Sequence, residues 1–455
     1  MALGSRKNRS PHPSMWRDKS ALLRSGLVSV GLVVSLVGCS ALMPGGNLGL
    51  SPQAGDGPGV TEDSVKVVFI GTDLEAVQEI TGFKTEPVGD LKAQVKALET
   101  WVNENGGLGG KKMEAVYRLY DAVNDSVAAE EQLCKQITQD DEAFAVVLTG
   151  QYQPNARPCY QRAQTLMFDA ALMASDQEFY DEMAPFLWTA SFPEYGAFTE
   201  AQLDVMKEEG FFDAANGLGV IAADSAINKR VFEKIVEPRL KEEGVSSEVS
   251  WIDTTDMTSL FQTLTQAATT FRNKRYENVM FLGGSRMSSM FDSASATVQY
   301  KARYAMSSFD NPTYFVNNTG QISEGVTEGM VGVGFHPPQE VGDSMSFPNE
   351  NEKVCIDIFA ESDITWENRE GARVGLPFCD AVRLLKAGAD ELSGDFNAWN
   401  WAKAVKTVGG DFTPSSGFGQ GLKTSNAAAG GYRVMRFDEE CKCFVYEGEE
   451  RSFNE

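Results

Sequence analysis

Thiols, imidazole and carboxylates are the reactive groups of this chain, and their spacing limits what each can do. A nucleophilic triad needs a base beside its nucleophile. The only histidine beyond the N-terminal segment is His336, placed before Pro337-Pro338 in an expected loop. The run Gly283-Gly284-Ser285-Arg286-Met287 lacks the closing glycine of a nucleophile elbow. Gly417-Phe418-Gly419-Gln420-Gly421 echoes a dinucleotide loop, but not between a strand and a helix. No catalytic residue and no cofactor are therefore assigned, and the reading is of a protein that is not an enzyme. Carboxylate pairs in so acidic a chain keep a hydrolase as the rival class. In an oxidising compartment the simplest pairing joins Cys134 to Cys159 and Cys355 to Cys379, each bridge worth about 3 kcal/mol. Cys441 and Cys443 offer a tight third bridge. A metal site there fails for want of further ligands, so no metal is expected.

Cys39 differs from the other cysteines because of what precedes it. Arg6, Lys7, Arg9, Arg17, Lys19 and Arg24 lie upstream, and residues 26–38 carry no charge. A basic start, a short apolar core and small residues before the cysteine describe an export signal. The apolar run falls short of the roughly 20 residues that a bilayer span needs. Leu36-Val37-Gly38-Cys39 resembles the lipobox of bacterial lipoproteins, in which the cysteine is lipidated and becomes the mature N-terminus. The expectation is a signal peptide over 1–39, then a Gly-, Pro- and Ser-rich flexible linker over 40–60. The body beyond it is exported and lipid-anchored to the cell membrane, facing the extracellular or periplasmic side.

Six of the 40 basic and one of the 64 acidic residues precede Cys39, which leaves 34 and 63, a net charge of -29. That balance argues against nucleic acid, whose phosphates demand basic patches. It favours solubility and says little about the fold. The body is long for one core, so two lobes are expected.

The pattern along the body alternates. Residues 64–71 (SVKVVFIG) read as a strand, and Leu91, Val95, Leu98 and Val102 recur at helical spacing before a Gly106-Gly107 stop. A strand over 113–119, a helix over 126–139 and strands at 144–149 and 165–168 follow. The rhythm pauses near 185–194 and restarts. Strands are expected at 219–223, 249–252, 279–282 and 313–316, and helices at 229–243, 260–271 and 288–302. Such βαβ series imply parallel sheets covered on both faces, here two doubly wound Rossmann-like units in succession.

Asn105-Gly106-Gly107-Leu108-Gly109-Gly110-Lys111-Lys112, with the following Tyr120-Asp121-Ala122 and Phe144-Ala145-Val146-Val147, resembles the branched-chain amino-acid-binding family. These are the type I periplasmic solute-binding proteins, or Leu/Ile/Val-binding family, of ABC transporters. A P-loop reading fails because Lys111 is followed by Lys112, not Ser or Thr. The resemblance implies an α/β fold of two lobes joined by three hinge crossovers, near 188–192, 316–320 and 430–434. It places 61–188 with 319–430 in the N-terminal lobe, and 189–318 with 431–455 in the C-terminal lobe. It also implies a monomer that takes a small-molecule ligand and meets the subunits of an ABC permease. A surface sensor of the same fold, without transport, is the alternative.

Open parallel sheets bind ligands beyond the C-terminal ends of their strands. Those ends, and the loops on which the family's contacts fall, give Asp73, Thr149, Gly150, Gln151, Tyr152, Ala170 and Ala171 in the first lobe. They give Asp224, Ser285, Arg286 and Asn318 in the second. The family's acidic position falls near Asn318, and its hydroxyl positions hold Gln151 and Tyr152. Leucine or valine is therefore an unsafe guess for a solute that is an amino acid, an amide or a related acid. Arg286 suits an anionic ligand, Tyr152 an apolar or aromatic body, and Asp169 a helix cap.

Overall fold

The computed structural model describes residues 54–453 except 82, 151–153, 255–256 and 285–286. Cys39 and the signal lie outside the described residues, as do Gln151, Tyr152, Ser285 and Arg286. Five parallel strands form the first sheet: β1 Ser64–Thr72, β2 Lys112–Tyr120, β3 Ala145–Leu148, β4 Leu166–Asp169 and β5 Leu187–Trp188, in the order β2-β1-β3-β4-β5. Val67 faces Ala115 on one side and Ala145 on the other, so β1 is an interior strand. Strands covered on both faces must be apolar almost throughout, and β1, β3 and β4 are buried along nearly their whole length.

The second sheet comprises β6 Leu218–Ala223, β7 Ser247–Ile252, β8 Asn278–Leu282, β9 Arg303–Ser307, β10 Val331–Gly334, β11 Gly431–Asp438 and β12 Cys443–Ser452. Its order is β12-β11-β10-β9-β8-β6-β7, with β11 and β12 antiparallel at one edge. Without that edge it repeats the order of the first sheet. The molecule is therefore α/β with two doubly wound lobes.

The glycine-rich turn after the helix Leu91–Glu104 is set by backbone conformation. Gly106 at φ 88° ends the helix, and Gly107 N–H donates back to Val102 O at 2.8 Å. Gly109 and Gly110, at φ 57° and 86°, then make a two-residue hairpin closed by Leu108 and Lys111. Lys111 Nζ donates to Thr61 O at 2.6 Å and Glu62 O at 2.8 Å, tying the turn to the start of β1. All three cysteine pairs are disulfides: Cys134–Cys159, Cys355–Cys379 and Cys441–Cys443. The second clamps the helix Glu350–Ala360 to the helix Gly375–Asp390. Among the described residues no helix is long and apolar enough to cross a membrane.

Three expectations need correction. Residues 313–316 are not a strand but part of the helix Thr313–Asn317, and the strand lies earlier, as β9. Asn311 at φ 52° turns the chain and Pro312 caps the helix, which overrides the β-branched, aromatic composition that follows. The passage expected at 316–320 comes later, because β10 still pairs with β9 in the second sheet. The chain returns to the first lobe only after Gly334. Finally, the linker does not stay free to residue 60. Gly57 N–H donates to Phe396 O at 2.8 Å, Phe396 N–H to Asp56 at 2.7 Å, and Asn397 to Gly55 O at 3.0 Å.

The first and last passages between the lobes run side by side. Thr189 N–H donates to Asn426 O at 3.0 Å, Ala428 N–H to Thr189 O at 2.9 Å, and Ala429 N–H to Phe192 O at 3.3 Å. Buried Asp380 stitches them to the body, accepting from Ser191, from Arg383 and from Ser415 and Ser416.

Candidate functional site

In a doubly wound sheet the connections reverse direction between two adjacent strands, and a crevice opens beyond their C-terminal ends. In the first sheet that point lies between β1 and β3. The structure has a chamber of about 140 Å³ there. Thr72 from β1 and Thr149 and Gly150 from the end of β3 form its floor. Ala170, Ala171 and Leu172 follow β4, and Gln339, Arg373 and Val374 close it from the late chain. Leu74 and Leu91 complete an apolar side. A wider groove of about 480 Å³ shares Thr72, Leu74, Leu91 and Arg373 and adds Asp73, Glu75, Glu86, Asp90 and Tyr117. Burial, with help from Asp90 and Asp73, raises the Tyr117 phenol and keeps it neutral.

The first-lobe candidates among the described residues, Asp73, Thr149, Gly150, Ala170 and Ala171, converge on this place. Asp73 accepts from Ala76 N–H at 3.0 Å, capping the helix Leu74–Thr81 at the groove's edge. Thr149 donates its hydroxyl to Ile70 O, locking the end of β3 onto β1. Gly150 stands at φ 66°, and a Cβ there would sit 1.6 Å from Thr72 Oγ1, so only glycine lets the two strand ends meet. Asp169 caps no helix. It accepts from Ala171 N–H at 2.8 Å and pairs with buried Arg157 at 3.4 Å. Burial raises its carboxyl and Arg157 opposes that shift. Ala170 and Ala171 are thereby fixed at the wall, with Leu172 beside them in the left-handed region at φ 57°.

Of the second-lobe candidates, the two among the described residues, Asp224 and Asn318, do not join them. Asp224 is paired with Lys229 at the surface. Asn318 is buried, where it caps the helix Thr313–Asn317. Its amide clamps Lys84, accepting from Lys84 N–H at 2.8 Å and donating to Lys84 O at 3.3 Å. Around it a bridge joins the lobes. Phe83 packs edge-on against Tyr314 at 4.7 Å, and Asn317 donates to Glu370 at 2.9 Å.

Arg373, Thr72, Leu91, Val374 and Gln339 were not among the expected site residues. Thr72 sits one position from Asp73, so the strand-end signal reached it. Arg373 has no such signal, because it arrives from a segment 288 positions beyond its partner Thr85.

No protein-family model matches the chain, and no curated protein matches it by sequence. Solved structures match it by fold. A solute-binding protein of an ABC transporter from R. palustris, in complex with 4-hydroxybenzoate, superposes with a TM-score of 0.60 at 15% identity. That match covers 86% of this chain and 97% of that one. A fatty acid ABC transporter substrate-binding protein from Thermomonospora curvata gives 0.59 at 12% identity, over 88% and 95% of the two chains. The branched-chain amino acid transporter substrate-binding protein LivJ from Streptococcus pneumoniae, in complex with isoleucine, gives 0.54 at 13%, over 86% and 100%. The fold is that of the type I periplasmic binding proteins.

Proposed function

We propose that the chain is the extracytoplasmic, lipid-anchored solute-binding protein of an ABC importer. It holds a small organic molecule between two closing lobes and presents it to a permease as a monomer. The observation that carries the reading is the chamber at the strand-order reversal of the first sheet, in a molecule whose second sheet repeats that order. The solved structures it resembles support it, since their ligands are small molecules: 4-hydroxybenzoate in one, isoleucine in another. The lipid anchor rests on the lipobox-like segment ending in Cys39. Two lobes joined by paired passages fit a hinge, and a ligand touching both sides shifts the population toward the closed form.

A thermal-shift screen of the full chain in detergent tests this, using organic acids, amides, amino acids, sugars and short peptides. A ligand at a hundred times its Kd adds about 2.7 kcal/mol, enough for a plain shift in Tm. A saturable shift with the ligand recovered intact is the expected result. Turnover of a bound compound would replace the reading with a hydrolase. Binding without any association with a permease would favour a sensor.

A further inference from the structure

Arg373 is the one charged residue among the described residues that line the chamber. Its guanidinium is fixed from behind: Nη1 donates to Glu86 O at 2.6 Å and Glu370 O at 2.9 Å, and Nη2 to Thr85 Oγ1 at 3.1 Å. These acceptors are carbonyl or hydroxyl oxygens, and among the described residues no carboxylate forms an ion pair with it. Three of its five donors are used, which leaves Nε–H and one Nη2–H, adjacent donors suited to the two oxygens of a carboxylate. An independent observation lies on the chamber floor. Thr72 is 7% exposed, and its buried hydroxyl has no hydrogen-bond partner among the described residues. A buried hydroxyl without a partner is costly; this one lies against Gly150, and a turn of the Thr72 side chain would bring it to a polar atom of the occupant. Leu74, Leu91, Leu172 and Val374 make the remaining wall apolar. The carboxylates Asp73, Glu75, Glu86 and Asp90 belong to the outer groove instead, from where Glu86 acts on Arg373 through space, as Glu370 does.

Resting on the solute-binding reading above, we propose that the solute is a small monocarboxylate with an apolar body and no α-ammonium group, its head held by Arg373 and Thr72. The α-ammonium of an amino acid is only two bonds from its carboxylate. Seating that carboxylate on Arg373 would bring a second positive charge beside the guanidinium, with no carboxylate among the described residues that line the chamber to pair with it.

The test is titration calorimetry on the full chain with two matched sets: hydrocinnamate, hydrocinnamide and phenylalanine; isocaproate, isocaproamide and leucine. Each acid is expected to bind at least about tenfold tighter than its amide and its amino acid. Arg373→Gln should erase the preference for acid over amide, with Arg373→Lys keeping part of it. Thr72→Val keeps the shape and removes the hydroxyl. It should weaken the acids severalfold while leaving the Tm of the free chain unchanged or higher, a combination that a purely structural role would not give. Amides or amino acids that bind as well as the acids would overturn the proposal and leave the solute-binding reading standing. So would a full acid preference in folded Arg373→Gln or in Thr72→Val. If no compound of the wider screen binds either, both readings fall.

Discussion

Glu340 shows how far a single residue can be pushed from its ordinary chemistry. It is buried where β10 gives way to the passage between lobes. There it accepts from Phe335 N–H at 3.1 Å, from His336 N–H at 2.6 Å, and from the hydroxyls of Ser308 and Tyr446. Burial raises its carboxyl to about 7, although those four hydrogen bonds pull the other way. Between pH 4.5 and about 7, the folded chain thus keeps a proton that the unfolded chain has released. The stability this group contributes is complete below the lower limit and is lost as pH rises to the upper one. His336 works in the opposite sense. Burial lowers it to about 4, so over pH 4 to 6.5 the unfolded chain takes up a proton that the folded chain refuses, and stability grows with pH. Glu340→Gln removes only the first contribution. The slope of unfolding free energy against pH should then become more positive by up to about 1.4 kcal/mol per pH unit across pH 5 to 6.5. Urea unfolding at four pH values measures it. An unchanged slope would mean that the folded carboxyl titrates in its ordinary range.

Elements are locked to one another by groups of this kind, and these locks were the least legible part of the sequence. Arg369 and Glu352 are both fully buried, joined through Nε at 2.5 Å and Nη2 at 3.1 Å. Arg369 also gathers the carbonyls of Gly342, Met345 and Ser346, while Glu352 closes the capping box with Asn349 at the start of the helix Glu350–Ala360. Arg369→Ala leaves a carboxylate and three carbonyls without their donor and should cost about 3–5 kcal/mol in chemical denaturation. Adding Glu352→Gln should recover part of that loss, and a double mutant no better than the single would refute the coupling. The glycine turn at 106–110 was readable in advance, because each positive φ is a demand on one residue and glycine answers it. So were β1 and β3, whose apolar runs state their burial. The helix Thr313–Asn317 was not, since its aromatic and β-branched residues favour a strand and the decision falls to Asn311-Pro312 before it. Arg373 was invisible for a different reason: its partners are remote in sequence, and periodicity carries no information about them.

At the scale of the molecule, the repeated strand order was legible from the alternation of runs, and so were the first-lobe strand ends that line the chamber. The point where the chain returns between lobes was not, because one four-residue strand, β10, decides it. Charge is the other whole-molecule property that the sequence states outright. The chain beyond Cys39 carries a net -29, and a balance this one-sided opposes compaction through self-repulsion. Several ion pairs lie at the surface, such as Arg451 with Glu208 and Lys353 with Asp357, and exposed pairs contribute little. Buried pairs such as Arg369 with Glu352 are barely screened. The two effects of salt are therefore unequal. Raising the ionic strength from about 0.1 M to 1 M shortens the screening length from about 10 Å to 3 Å. That relieves the long-range repulsion and weakens only the pairs that matter least. The Tm of the chain should rise across that range in sodium chloride, and by the same amount in potassium chloride, as followed by scanning calorimetry. A falling Tm would mean that the surface pairs act as a network whose attraction exceeds the net repulsion.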